Sequence, residues 1–244
     1  KFEKDLAEFT KAKYAISVVN ATAALHISLL FAGVEQNDLV IVPNITFVAS
    51  CNAINYTGSD PLLIDVDPQT WQMDLDLLEK FLREQIEIKN NHSYHKKTQR
   101  RIKAIMPVHV LGNMCNMHRL MEIASQYHLE VVEDSTEALG SYYKKQHAGT
   151  FGTFGCFSFN GNKIITTGGG GMIVTNDEKL AKKAKHITTQ AKANPNEYFH
   201  DEIGYNYRLV NILAAMGVAQ LEQLPSFLER KKEVTHFYNT ELKK

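Results

Sequence analysis

The sequence lacks most of the features that would assign a class at once. Its 27 basic and 27 acidic side chains cancel. There is no basic excess of the kind that nucleic-acid binders or polybasic membrane-surface proteins carry. Only three cysteines, Cys51, Cys115 and Cys156, are spread over 244 residues. So sparse and odd a set is a poor disulfide framework, and without a C-x-x-C pair it does not suggest zinc. It points to a reducing compartment, the cytoplasm. No apolar run reaches the ~18 residues of a membrane span. No internal repeat or low-complexity tract is present. His147, His186 and His200 have no metal-ligand spacing with acidic residues, so no metal is expected. The start shows no signal-peptide pattern, but Lys1 is not an initiator methionine, so the true N-terminus is expected upstream.

What is present is ordinary for a globular chain: 44% hydrophobic and 22% charged residues. Short apolar runs rich in Val and Ile alternate with helical patterns. Strands are expected at 14–19, 39–42, 62–66, 102–108, 130–133, 155–159 and 172–175. Helices are expected at 21–32, 47–56, 75–84, 117–127 and 178–186. This alternation predicts an α/β fold with a mainly parallel sheet flanked by helices, and such sheets bind ligands at the carboxyl ends of their strands. The polar, basic stretch 89–101 (KNNHSYHKKTQRR) reads as a solvated loop, or less simply as a phosphate or partner contact. From Leu209 to Glu241 runs one long helical pattern, with an interruption expected at Pro225. Leu213, Met216, Val218, Leu221 and Leu224 make its candidate apolar face.

Five segments hold residue types suited to chemistry. In Cys156–Thr175 (CFSFNGNKIITTGGGGMIVT) a strand leads to Ser158, Asn160 and Lys163, then to four glycines. A lysine held at a strand's carboxyl end can act as a neutral amine, as Schiff-base chemistry requires, or be a plain loop lysine. In Val131–Gly140 (VVEDSTEALG) a buried strand ends in Glu133 and Asp134. A carboxylate there can face a pyridinium nitrogen, or simply cap the following helix. In Val19–Leu25 (VNATAAL) the helix start and the Thr22 hydroxyl suit an anion such as phosphate, or Asn20 merely caps the helix. Phe47, in Pro43–Ser50 (PNITFVAS), can stack on a planar ring or be core. In Gly204–Leu209 (GYNYRL), Asn206 and Arg208 suit phosphate recognition or a subunit contact. His109 and Gly112 (PVHVLG) follow a strand, and a lone histidine there is more often structural.

Together NATAALH (20–26), TFVAS (46–50), PVH (107–109), VVED (131–134), FSFNGNKIITTGGGG (157–171) and GYNYR (204–208) resemble the DegT/DnrJ/StrS-type nucleotide-sugar aminotransferases. These are fold-type I pyridoxal-phosphate (PLP) enzymes. The resemblance implies a large PLP-binding domain at 1–208 with a seven-stranded, mainly parallel sheet. It also implies that 209–244 is a long helix leading toward a small C-terminal domain beyond Lys244. Lys163 matches the Schiff-base lysine and Asp134 the partner of the pyridine nitrogen, the two catalytic positions. Thr22, Ala23 and Ser158 match the phosphate cradle, and Phe47 the ring-stacking position. Asn206 resembles an asparagine that reaches the cofactor phosphate across a homodimer interface. Glu137 stands near the ring where many relatives have glutamine, and is expected to contact the cofactor. Lys163 is present where related dehydratases carry histidine, which favours transamination.

SFNGNKIITTGGGG, the polar insertion before RIKAIMPVHV (101–110) and the segment 186–208 are similar to the legionaminic-acid-pathway subgroup. That subgroup implies amino transfer from L-glutamate to the C4 keto group of a UDP-linked 4-keto-6-deoxy-N-acetylhexosamine, for nonulosonic acid or surface-glycan synthesis. Two alternatives stand beside it: C3 amination of another nucleotide sugar, and a non-catalytic regulatory homologue that binds PLP or nucleotide sugar.

Overall fold

The computed structural model describes residues 1–194 and 197–242. The chain begins with α1 (Phe2–Thr10), β1 (Tyr14–Val18), α2 (Ala21–Phe31), β2 (Leu39–Pro43), α3 (Val48–Tyr56), β3 (Asp60–Ile64) and α4 (Leu75–Gln85). Next come β4 (Ile86–Lys89), β5 (His92–His95), β6 (Arg101–Ile105), α5 (Met117–Gln126) and β7 (Glu130–Asp134). The chain continues through β8 (Tyr142–Tyr143), β9 (Gln146–His147), β10 (Phe154–Ser158), β11 (Gly171–Thr175), α6 (Glu178–Thr188) and α7 (Asn211–Glu241). Among the described residues no helix is long and apolar enough to cross a membrane.

Seven strands form one path in the order β1-β11-β10-β7-β6-β2-β3. The pairs from β10 to β3 are parallel, and β11 runs antiparallel between β1 and β10. This is the α/β class that the alternation predicts. The central strands β2, β10 and β11 are buried on both faces, and period-two alternation sorts the side chains of the sheet. Val40, Val42, Val132, Cys156 and Ile173 face one cluster, with α2, α3 and α6. Ile41, Ile105 and Val131 face the opposite side, against α4 and α5. Phe157, Met172 and Val174 meet α1 and α7 there.

Three expectations need correction. The stretch 89–101 is not a plain solvated loop. Part of it belongs to a β4–β5 hairpin that pairs antiparallel with the start of β6, which makes the sheet nine-stranded. Its turn is Asn90-Asn91, both left-handed (φ 51° and 59°), the backbone that a tight two-residue hairpin demands. Arg101 then clamps Asp38 through two hydrogen bonds of 2.9 and 2.6 Å. Second, α7 is not interrupted at Pro225 but runs unbroken for 31 residues. A proline removes one helical hydrogen bond, and Leu221 and Leu224, buried just before it, keep the helix docked. Third, Met216 is exposed, whereas Gly217, Leu221 and Leu224 are the buried residues of that helix. Helix α1, which no pattern singled out, covers this seam. Lys243 and Lys244, the end of the expected 209–244 element, lie outside the described residues, as do Pro195 and Asn196 of the 186–208 segment.

Candidate active site

Parallel strands carry their following loops to the same end of the sheet. The turns after β1, β2, β6, β7 and β10 therefore converge, and between them lies a cavity of about 700 Å³. Thr22, Phe47, Asp134, Glu137, Ser158 and Lys163 all line it. These residues come from four separate loops, 141 residues apart at the extremes (163 − 22).

At one wall, β1 hands the chain to α2. The Asn20 carboxamide caps the helix by accepting the Ala23 N–H at 2.8 Å. The N–H groups of Ala21 and Thr22 have no partner among the described residues. A helix start with two unpaired donors is an anion site. Close packing sets its position: a Cβ on Gly171 would sit 2.5 Å from the Asn20 carbonyl carbon. No residue larger than glycine lets β11 approach this turn. Ser158 stands beside it. Its oxygen accepts the Asn160 N–H at 3.3 Å, which leaves its own hydrogen to donate.

At the floor, β7 ends in two acidic residues with opposite surroundings. Glu133 is fully buried on the side away from the cavity. His109 Nε2 and the Gly149, Phe151 and Gly152 N–H groups all donate to it, at 3.0, 2.8, 2.7 and 2.8 Å. A carboxylate so saturated is scaffold, and His109 is its partner. Asp134 lies on the same face as Val132 and opens into the cavity. The Ser50 hydroxyl donates to its Oδ2 at 2.7 Å, and the Thr136 N–H reaches Oδ1 at 3.3 Å. Cys156, its register partner on β10, is wholly buried, and burial pushes that thiol well above its ordinary value, so it stays protonated.

At the third wall, the Lys163 Nζ lies 3.3 Å from Glu137 Oε1. Glu137 Oε2 accepts the Leu111 N–H at 2.8 Å. Leu111 is left-handed (φ 56°) and exposed at the cavity mouth. Glu137 thus joins the lysine to the loop after β6. Phe47 is 79% exposed, not core, and stands at the mouth where a planar ligand would meet it.

Two expected site residues are elsewhere. Ala23 does not line the cavity: its side chain is buried, and its N–H is held by the Asn20 cap. Asn206 is exposed on the strip 205–208 that runs along the open edge of β1, and its backbone bridges Thr189. It is outside the cavity of its own chain. Residues that no sequence signal isolated are Thr46, Ser50, Thr136 and Asn162, which also line the cavity. Thr46 and Ser50 belong to the same motif as Phe47: Thr46 comes just before the Phe47 N-cap and Ser50 lies in the first turn of α3, and their hydroxyls meet at 2.7 Å.

His186, Asp201 and Glu202 also gather within metal-ligand distance of one another. Two of them are already hydrogen-bonded: the His186 ring reaches Asp201 at 2.7 Å and holds that carboxyl below its ordinary value, and Lys183 holds Glu202.

The donors in the cavity fit pyridoxal phosphate. A primary amine, a buried carboxylate, two unpaired helix N–H groups and several hydroxyls, those of Thr22 and Ser158 among them, share one cleft. The comparisons point the same way. The sequence profile of the DegT/DnrJ/EryC1/StrS aminotransferase family matches residues 1–244. A GDP-perosamine synthase of Escherichia coli O157:H7 is 46% identical over 238 residues, 98% of this chain and 61% of that protein. A crystal structure of a DegT DnrJ EryC1 StrS aminotransferase from Brucella abortus superposes with a TM-score of 0.90 at 30% identity, over 99% of this chain and 62% of that one. Helicobacter pylori PseC, an aminotransferase involved in the biosynthesis of pseudoaminic acid, gives 0.86 at 30% identity over 99% and 62%. The chain spans about three-fifths of the length of each relative.

Proposed function

The chain belongs to the DegT/DnrJ/EryC1/StrS aminotransferase family, and on that premise we propose that the protein moves an amino group from glutamate to a keto group of a nucleotide-linked sugar, with pyridoxal phosphate as cofactor. One observation carries this reading: Lys163, Asp134 and the start of α2 open onto a single cavity. Bound there, the cofactor supplies an electron sink for the carbon that loses its proton. The chain supplies the rest. Lys163 Nζ holds the cofactor and, once released, carries the proton between carbons. Asp134 keeps a proton on the ring nitrogen. The Ala21 and Thr22 N–H groups and the Thr22 and Ser158 hydroxyls take the phosphate. Phe47 covers the ring at the mouth, and Glu137 holds Lys163 toward the loop that carries Leu111.

For the substrate, the sequence motifs favour a UDP-linked 4-keto-6-deoxy-N-acetylhexosamine of the legionaminic type. A second reading, a GDP-linked sugar, has its own support in the 46% identity to a GDP-perosamine synthase. The enzyme is proposed to act as a homodimer in which Asn206 serves the neighbouring site. Support comes from the stretch around it, where Tyr198, Phe199, Ile203, Val210 and Ile212 stand exposed. Residues 1–208 form the cofactor-binding domain. Helix α7 is proposed to lead into a smaller domain, in keeping with the exposed Val234, Phe237 and Leu242 on its last turns.

The test has two parts. Protein mixed with pyridoxal phosphate is expected to gain a visible absorbance band that Lys163→Ala lacks. Glutamate is then offered with UDP- and GDP-linked 4-keto sugars and their 3-keto counterparts, and products are read by mass spectrometry. Transfer to a UDP sugar supports the first reading and transfer to a GDP sugar the second. A wild-type protein without the band, or with the band but no transfer to any sugar, sinks the activity.

A further inference from the structure

Asp134 is held by a short chain of hydroxyls. Ser50 is 1% exposed, and its hydroxyl donates to Asp134 Oδ2 at 2.7 Å. A serine hydroxyl has one proton, so the 2.7 Å contact between Ser50 and Thr46 must run from the Thr46 hydroxyl to the Ser50 oxygen. Among the described residues, the one other acceptor for the Thr46 proton is the Phe47 carbonyl at 3.3 Å. The chain therefore has one direction, Thr46 to Ser50 to Asp134. All three side chains line the cavity. On the other carboxylate oxygen, Oδ1, Asp134 accepts, among the described residues, only the long 3.3 Å bond from the Thr136 N–H. That oxygen keeps the capacity to accept a further proton donor.

We propose that Ser50 is a positioning residue: with Thr46 behind it, it fixes the Asp134 carboxylate by its Oδ2 and so presents Oδ1 to the ring nitrogen of the cofactor. The proposal rests on the reading of Asp134 given above. A free carboxylate at the end of a strand can rotate about its last bond. One short hydrogen bond from a buried hydroxyl, itself held by a second hydroxyl, removes that freedom. The tether comes from the first turn of α3, whose N-cap is Phe47. The residue proposed to cover the ring and the residue that aims its counter-charge are thus three positions apart on one turn. The other titratable groups that face the cavity are Lys163 and Glu137, which pair with each other. Glu133 and His109 pair away from it, and the Cys156 thiol on β10 stays protonated.

The test reads the cofactor rather than turnover. When the ring nitrogen loses its aimed carboxylate it draws electrons less, and the lysine-linked nitrogen across the ring becomes more basic. Wild type, Ser50→Ala, Ser50→Thr and Thr46→Val are loaded with pyridoxal phosphate, and the visible band is titrated with pH. Ser50→Ala is expected to move the midpoint upward by about half a unit or more and to weaken cofactor retention about fivefold. Ser50→Thr keeps a hydroxyl and restores both. Thr46→Val is expected to give a smaller shift of the same sign. A midpoint in Ser50→Ala equal to wild type, in a protein that binds the cofactor, overturns the positioning role and leaves the reading of Lys163 and Asp134 intact. A wild type that forms no visible band overturns both.

Discussion

Two neighbouring carboxylates show how far a residue's role depends on the face it takes. Glu133 and Asp134 are adjacent in β7, so they point to opposite sides of the sheet. Glu133 meets four donors, three of them backbone N–H groups of the 149–152 loop. Asp134 meets one hydroxyl, one long backbone N–H contact and open space in the cavity. Glu133→Gln is a sharp probe of the first role. A glutamine has one acceptor oxygen and turns two N–H donors toward groups that are themselves donors. Removing a partner from a buried, charge-assisted network is costly, so the substitution is expected to destabilise the protein by about 2–4 kcal/mol, read as a lower urea midpoint. A loss below about 0.5 kcal/mol would contradict the scaffold assignment.

At the scale of elements, most strands and helices were legible because their signal is local. Val- and Ile-rich runs bounded by polar turns, as in β2 and β7, and helical patterns, as in α5 and α6, fell within a few residues of their observed limits. The β4–β5 hairpin was not legible, because its turn is Asn-Asn rather than a glycine pair and its strands are polar and half exposed. Helix α1 is short, and its apolar face is explained by packing on the sheet and against α7. The α1–α7 part of this seam is the tighter one. Gly217 on α7 meets Phe2, and a Cβ there would come within 2.6 Å of the Phe2 ring. Gly217→Ala gains about 1 kcal/mol in helix propensity. Against this, overpacking a filled seam costs about 1–3 kcal/mol. Phe2 is 3% exposed and has little room to yield, so the net effect is expected to be destabilising, with a lower melting temperature. A raised melting temperature would show that the seam has slack.

For the whole molecule, the order of strands matters more than their number. Five loops from distant parts of the chain end at one edge because β1, β10, β7, β6 and β2 share a direction. Asn206 is the exception, on the strip beside β1 and outside the cavity of its own chain. If it serves a neighbouring subunit, the exposed apolar residues around it must lie at the interface. Ile212, 76% exposed at the start of α7, is the probe. Ile212→Asp is expected to shift the protein from dimer to monomer in analytical ultracentrifugation and to weaken cofactor retention with it. A wild type that sediments as a monomer at micromolar concentration, or a variant that stays dimeric, would remove Ile212 from any such interface.

The sequence by itself determined the α/β class, the family and the candidate lysine and aspartate, because these rest on local hydrophobic period and on short motifs read in order. It could not separate Glu133 from Asp134 in surroundings. It could not reveal that the Ala23 N–H is held by a cap, or that Glu137 joins Lys163 to Leu111. Nor could it show that Ser50 and Thr46 stand behind Asp134. Each of these is a contact between loops far apart in the chain. Only the packing of strands into one sheet, which sets the face and the end to which every loop is carried, decides which of them meet.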